Sequence, residues 1–275
     1  MTTARIYLVS DFGVDDEFVG VLHAVLARLA PDVGVVDLSH GVAPFDVAGG
    51  AALLERAVPH LGPGVLVAVV DPGVGSSRRP VAIEVGGDGP RHLVGPDNGL
   101  LLGAASRLGG PRRAVAVAVP DRGASGRATF DGRDVFAPCA ARLATGTPLD
   151  ALGASIDVAT LVALADPVVT RRDLDDGRVA IAAPVRWIDR FGNVQLSLPG
   201  DVLEGVSSAA LVARDHDAIV PVVRAFAELA RGTLGVLRDA NDAVAIVMGE
   251  GSAASLLRVA VGDRVELIAS FGPPR

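Results

Sequence analysis

The chain reads as an α/β protein in two parts: an N-terminal α/β sandwich-like domain with a central, mostly parallel sheet, and a smaller C-terminal all-β barrel domain. Three observations predict this. Up to about residue 167, short apolar runs alternate with segments of helical periodicity, as in a sheet covered on both faces. Beyond it the apolar runs stay short and are separated by turn signals, as in a small barrel. Between the two lies DPVVTRRDLDDGR at 166–178, polar and carrying both proline and glycine, which suits a connection over about 168–177. The expected domains are therefore 1–167 and 178–275.

The elements follow in order. Residues 5–10 read as a buried strand, and 16–29 place Phe18, Val19, Leu22, Val25, Leu26 and Leu29 at helical spacing. A strand at 33–38, a helix at 46–57 and a strand at 65–70 repeat the unit. Further strands are expected at 81–85, 92–94 and 114–119, with helices following Asn98 and near 135–143. In the second part, strands are expected at 179–188, 194–198, 209–213, 234–237, 243–248 and 264–268. Residues 221–230 have helical periodicity but sit among strands, and both assignments stay open.

Composition narrows the function. Half of the 275 residues are hydrophobic and 21% are charged, which describes a packed globular chain. All 25 basic side chains are arginine, so Schiff-base chemistry and a lysine-bearing P-loop are excluded. A net charge of −7, with no basic run longer than two residues, argues against nucleic acid and for a small substrate. Cys139 is the sole cysteine, so no disulfide can form within one chain. No apolar stretch approaches the ~18 residues of a membrane span, and the expectation is a soluble, cytoplasmic protein.

Several polar islands follow strands, where ligands of open α/β sheets bind. Asp11 in SDFGVDDE ends the first strand and is placed to accept hydrogen bonds from a ribose diol; Asp15 and Glu17 read as helix-dipole partners. The same run is reminiscent of the calcium-binding aspartate cluster of nucleoside hydrolases, through Asp11, Asp15 and Asp16, but Val9 stands where that pattern wants its first acid. Phe45 in PFDV either walls a nucleoside pocket or staples a helix start. In VVDPGVGSSRR, Asp71 follows a strand, Gly73 and Gly75 permit a tight turn, and Arg78 and Arg79 supply fixed positive charge. In GPDNG, Asp97 and Asn98 read first as helix caps, and Asn98 is also a candidate substrate contact. In TFDGRDVFAP, Thr129, Phe130 and Asp131 would face the same sheet edge as Asp71. In WIDRFGN, Asp189, Phe191 and Asn193 combine a carboxylate, an aromatic ring and an amide at a strand turn. The five histidines lack metal-ligand spacing and read as structural or surface residues.

The order of these blocks, closed by GSAASLL near the end, resembles the S-adenosyl-L-methionine hydroxide adenosyltransferase family, relatives of the fluorinases and chlorinases. The resemblance implies hydrolysis of S-adenosyl-L-methionine to adenosine and L-methionine without metal or other cofactor. It also implies a homotrimer, with the substrate between one subunit's N-terminal domain and its neighbour's C-terminal domain. Asp71 and Arg78 match groups that work beside a water attacking the ribose C5′. Asp11 matches a ribose-diol ligand, and Phe45 and Thr129 line the ribose. Phe191 and Asn193 match adenine contacts, as does the backbone around Ser252 and Ala253, and Asp189 matches a contact to the methionine ammonium group. One departure stands out: the family's hydrolases carry histidine at the position of Asp131. A second carboxylate beside Asp71 would supply a base by another route or would hinder hydroxide formation, leaving a non-catalytic binding protein as a third reading. It would also repel a halide, which counts against a halogenase, and Gly132 stands where fluorinases carry a fluoride-binding serine.

Overall fold

The computed structural model describes residues 5–119 and 129–269. They divide into two compact units between Leu164 and Ala165. The first unit is a seven-stranded mixed sheet in the order β2-β1-β3-β5-β4-β6-β7. Its strands are β1 (Arg5–Ser10), β2 (Gly34–Ser39), β3 (Gly64–Val69), β4 (Pro80–Val85), β5 (His92–Pro96), β6 (Pro111–Val117) and β7 (Gly153–Ile156). β2, β1, β3 and β5 run parallel; β4 is antiparallel to both β5 and β6, and β7 is antiparallel to β6. Parallel order therefore covers one half of the sheet, and β7 was not foreseen.

Period-two alternation sorts the sheet's side chains into two cores. On one face Ile6, Leu8, Val65 and Val67 pack with Leu22 and Leu26 of α1 (Phe18–Leu29) and Ala140 of α4 (Ala137–Ala144). On the other, Tyr7, Val9, Leu66 and Ala68 pack with Leu54 of α2 (Val47–Ala57) and Ala104 of α3 (Leu102–Arg107). Each buried aliphatic side chain contributes about 1.5–3 kcal/mol through removal from water. β3, GVLVAV, is buried at every position, as a central strand covered by helices must be.

α4 is preceded by a π-helical turn over Gly132–Phe136. The Ala137 N–H donates to the Gly132 carbonyl five residues back, the wider spacing of such a turn, while the Phe130 carbonyl just before it accepts from both the Arg133 and Asp134 N–H groups at 3.1 Å. Such turns recur at functional sites because they re-aim the side chains at a helix start. Asp97 and Asn98 do not cap α3, which begins only at Leu102.

The second unit is an antiparallel sheet in the order β12-β11-β15-β9-β10-β14-β13, with β8 pairing β9 off this path. The strands are β8 (Thr170–Asp173), β9 (Val179–Ile188), β10 (Val194–Pro199), β11 (Ser208–Ala213), β12 (His216–Pro221), β13 (Leu234–Arg238), β14 (Ala243–Met248) and β15 (Arg264–Ala269), with the short helix α5 (Ala253–Leu257). The Val223 N–H donates to the Val236 carbonyl at 2.9 Å, bringing the two outer strands together and nearly closing a barrel. Its interior is filled by Val185, Leu196, Leu211, Val236, Ile246 and Leu267 among others. β8 lies within the stretch read from sequence as a connection, and β12, also not foreseen, ends at Pro221, where the stretch left open begins. Residues 221–230 hold no α-helix, only a 3-10 turn at Phe226–Glu228.

Candidate functional site

The carboxyl ends of β1, β3 and β5 share one edge of the first sheet, and the polar islands of the first unit collect there. Asp71 leaves β3, the chain turns through Gly75 at φ +79°, and Arg78 precedes β4. The Arg78 guanidinium donates from Nε to Asp71 Oδ1 at 2.9 Å and from Nη2 to the other Asp71 oxygen. The same Nη2 donates to Asp131 Oδ2 at 2.5 Å. Side-chain exposure is 6% for Asp71, 11% for Arg78 and 4% for Asp131, so the three charges are held nearly out of water. Burial pulls the Arg78 pKa down, but the bonds to Asp71 and then Asp131 outweigh it, and the guanidinium is held above its usual range. Its carbon also sits 5.4 Å over the Phe136 ring centre. Arg78 is thus fixed as a cation facing two carboxylates, and the spacing of Asp71 and Arg78 in the sequence resolves into a bidentate pair.

Asp11 lies on the same edge. Its Oδ2 accepts from the Phe45 N–H at 2.9 Å, which holds Phe45 at φ +68° with its ring 72% exposed. Asp46, not Phe45, secures the start of α2, accepting from the Gly49 N–H at 2.8 Å. The end of β1 is anchored by Ser10, whose buried hydroxyl meets His40 Nδ1 at 2.7 Å and accepts from the Phe12 N–H at 3.2 Å. Phe130 packs edge-on against Phe12 and Phe18 at centroid distances of 5.6 and 5.2 Å, and Thr129 beside it is exposed. A Cβ on Gly132 would come within 3.1 Å of Phe130 and 3.2 Å of Phe12, so this wall leaves little room for a side chain there. Asn98 turns inward to the backbone: its amide donates to the Val70 carbonyl at 2.9 Å and its oxygen accepts from the Leu100 N–H at 3.2 Å. Arg79 points away from Arg78 and pairs with Asp97.

The second unit gathers its candidates around the β9–β10 hairpin. Asp189 Oδ1 accepts from the Phe191 and Asn193 N–H groups, both at 2.9 Å, and its Oδ2 accepts from the Asn193 side-chain amide at 2.8 Å. Asp189 therefore orients the Asn193 side chain, whose remaining polar atom is Oδ1. Gly192 at φ +84° makes the turn possible, and a Cβ there would lie 1.9 Å from Ser252 Oγ. Ser252 caps α5 by accepting from the Ser255 N–H at 3.1 Å, and Ala253 is buried. Beside them opens a cavity of about 410 Å³ lined by Phe191, Asn193, Phe226, Met248, Glu250 and Gly251. Phe226, Met248 and Glu250 were missed from sequence. Phe226 lay in the stretch of ambiguous periodicity, and its 54% exposure, a large ring left at the surface, is visible only in three dimensions.

Among the described residues no group of three or more His, Cys, Asp and Glu side chains is arranged to hold a metal ion, and no helix is long and apolar enough to cross a membrane. The first unit thus gathers a buried charge cluster, and the second an apolar cavity with one oriented amide.

Comparison with known proteins places this chain. Residues 6–153 match the SAM hydroxide adenosyltransferase N-terminal domain, and residues 183–266 match the C-terminal domain. A protein of Salinispora tropica named (R)-S-adenosyl-L-methionine hydrolase is 47% identical over 97% of this chain and 98% of its own length. A protein of the same name from Thermus thermophilus is 38% identical over 96% of this chain and 99% of its own. A fluorinase of Actinopolyspora mzabensis is more distant, 26% identical over 72% of this chain and 73% of its own. Among solved structures, an uncharacterized conserved protein from Thermotoga maritima aligns with a TM-score of 0.83 at 29% identity, covering 96% of this chain and 99% of that one. The chain belongs to the SAM hydroxide adenosyltransferase family.

Proposed function

We propose that this protein hydrolyses S-adenosyl-L-methionine to adenosine and L-methionine, with Asp71, Arg78 and Asp131 as the reacting groups of the enzyme. The observation that carries the reading is the buried contact of Arg78 with both carboxylates at the edge of the first sheet. In the reaction, a water oxygen bonds to C5′ while the C5′–S bond breaks, and its electron pair stays on sulfur. The leaving group is a neutral thioether, so no acid has to protonate it. The difficulty is the nucleophile, which must be stripped of bulk water, aimed along the C5′–S axis and relieved of one proton. Arg78 stabilises the negative charge that develops on the water oxygen, and Asp71 or Asp131 orients the water and takes the proton before its release to solvent.

Substrate recognition is divided. Asp11 accepts from the ribose hydroxyls, with Phe45, Thr129 and Phe130 around the sugar. The second unit's cavity takes the adenine: rings of Phe191 and Phe226 cover its faces, Asn193 presents an oriented carbonyl, and backbone near Ser252 and Ala253 completes the edge. Asp189 already accepts three N–H groups, which leaves about one acceptor direction of a carboxylate for the methionine ammonium. Asn98 is assigned no substrate contact in this reading, because its amide is engaged by backbone. A homotrimer with the substrate between domains of neighbouring subunits would bring the two half-sites together, and no cofactor enters the scheme.

The test is chromatography of the products formed from S-adenosyl-L-methionine by the purified protein, with and without chloride. Adenosine and methionine in equal amounts, unaffected by a chelator, are expected. Release of adenine, a halogenated nucleoside in place of adenosine, or unchanged substrate would each overturn the assignment.

A further inference from the structure

β5 lies between β3 and β4 in the sheet, so the 70–79 connection that carries Asp71 and Arg78 arches across the end of β5, over roughly 9.5 Å or two strand spacings. The residues leaving β5 at that point, Asp97 and Asn98, grip both feet of the arch. At the incoming foot, the Asn98 amide donates at 2.9 Å to the Val70 carbonyl, in the peptide immediately before Asp71. At the outgoing foot, the Asp97 N–H donates to the Arg79 carbonyl at 2.9 Å. The Asp97 carboxylate, 4% exposed, accepts there from Arg79 Nε at 2.9 Å and Nη2 at 2.5 Å. The other Asp97 oxygen accepts from the Val162 N–H at 2.8 Å, and Arg79 also donates to the Thr160 carbonyl at 2.6 Å. The grip is therefore anchored to the rest of the unit. One consequence is that Arg79 is drawn to the far side of the chain while its neighbour Arg78 alone meets Asp71.

We infer that Asp97 and Asn98 are positioning residues: they set the separation of the arch's feet so that the Arg78 guanidinium meets the Asp71 carboxylate, and Asn98 acts through Val70 rather than through substrate. The kinetic consequence rests on the proposed hydrolysis; the geometric one does not.

Asn98→Asp tests it with little change in volume. It keeps an acceptor for the Leu100 N–H and replaces the donor to Val70 with an oxygen that repels that carbonyl. A crystal structure of the variant is expected to keep the fold while the Arg78 Nε to Asp71 Oδ1 contact opens past about 3.5 Å. With S-adenosyl-L-methionine, kcat is expected to fall about 10- to 100-fold while KM changes by less than about threefold. Should Asn98→Asp not fold, Asp97→Asn serves: it retains an acceptor for Val162, weakens the hold on Arg79, and is expected to give the same split. An Asp71–Arg78 contact unchanged at its present distance would overturn the inference. So would a rise in KM with kcat intact, which would return Asn98 to the substrate. Wild-type protein that leaves S-adenosyl-L-methionine intact would end the proposed function, and the crystallographic comparison would still judge the arch.

Discussion

At the edge of the first sheet three charged side chains share a space from which water is almost excluded, whereas the second unit offers an apolar cavity whose Phe191 ring is 72% exposed. The first arrangement is costly to assemble, since ions lose hydration on burial and recover it only through well-aligned partners. The second leaves apolar surface in water, which favours covering it with a flat apolar ligand. In the proposed function, the reacting groups and the adenine site thus differ in physical character as well as in place. The charge cluster is stiffened by its own ion pairs, while the cavity is shaped by hairpin geometry, with Asp189 and Gly192 setting where Asn193 points.

The contrast can be broken most severely at Arg78. Arg78→Gln removes the buried cation that Asp71 and Asp131 share, so a loss of about 3–5 kcal/mol in stability by urea unfolding is expected. Adenosine formation should fall by at least about 10²-fold. An active, equally stable variant would show that the cluster is an ordinary ion pair.

The next largest effect is expected in the second unit. Gly192→Ala combines a Cβ 1.9 Å from Ser252 Oγ with a φ of +84°, so the hairpin must shift; about 1–3 kcal/mol should be lost, with weaker adenosine binding by calorimetry. Unchanged binding would detach the hairpin from recognition. Asn193→Ala sharpens the comparison further. Loss of one hydrogen bond should raise KM up to about tenfold with kcat nearly preserved, the opposite split from that expected of Asn98→Asp. A fall in kcat instead would place Asn193 with the reacting groups.

The smallest effect concerns His92 at the start of β5, where burial, opposed by Glu84, pushes the imidazole below its usual range. The folded protein resists a proton that the unfolded chain accepts near pH ~6.5, so this contribution is full above that pH and fades on acidification. His92→Gln should flatten the urea midpoint between about pH 7 and 5; an unchanged slope would assign the acid sensitivity elsewhere.

Much of the fold was legible because burial imposes period. β1 repeats the alternation that sorts Ile6 and Leu8 from Tyr7 and Val9, and α1 shows its Leu22 and Leu26 stripe directly. The strands that escaped notice have weaker signatures: β7, GASI, has no buried position, β8, TRRD, is exposed at every position, and β12, HDAIVP, at four of six, so none presents a clear apolar face. In the candidate site, Asp71 and Arg78 were visible as polar residues interrupting apolar strands. Asn98 was read as a helix cap and a candidate substrate contact, because whether its amide faces a ligand or the Val70 carbonyl depends on which strand lies between β3 and β4.

By itself, then, the amino-acid order determined the alternation of helix and strand, the change to an all-β second part and the chemical types available at each strand end, because local periodicity and turn chemistry act over a few residues. Only the tertiary structure decided that β5 inserts between β3 and β4, that Asp131 meets Arg78 from 53 residues away and that Arg79 turns aside to Asp97. Those contacts form between segments distant in sequence, and their energies depend on burial and alignment that exist only once the sheet has closed around them.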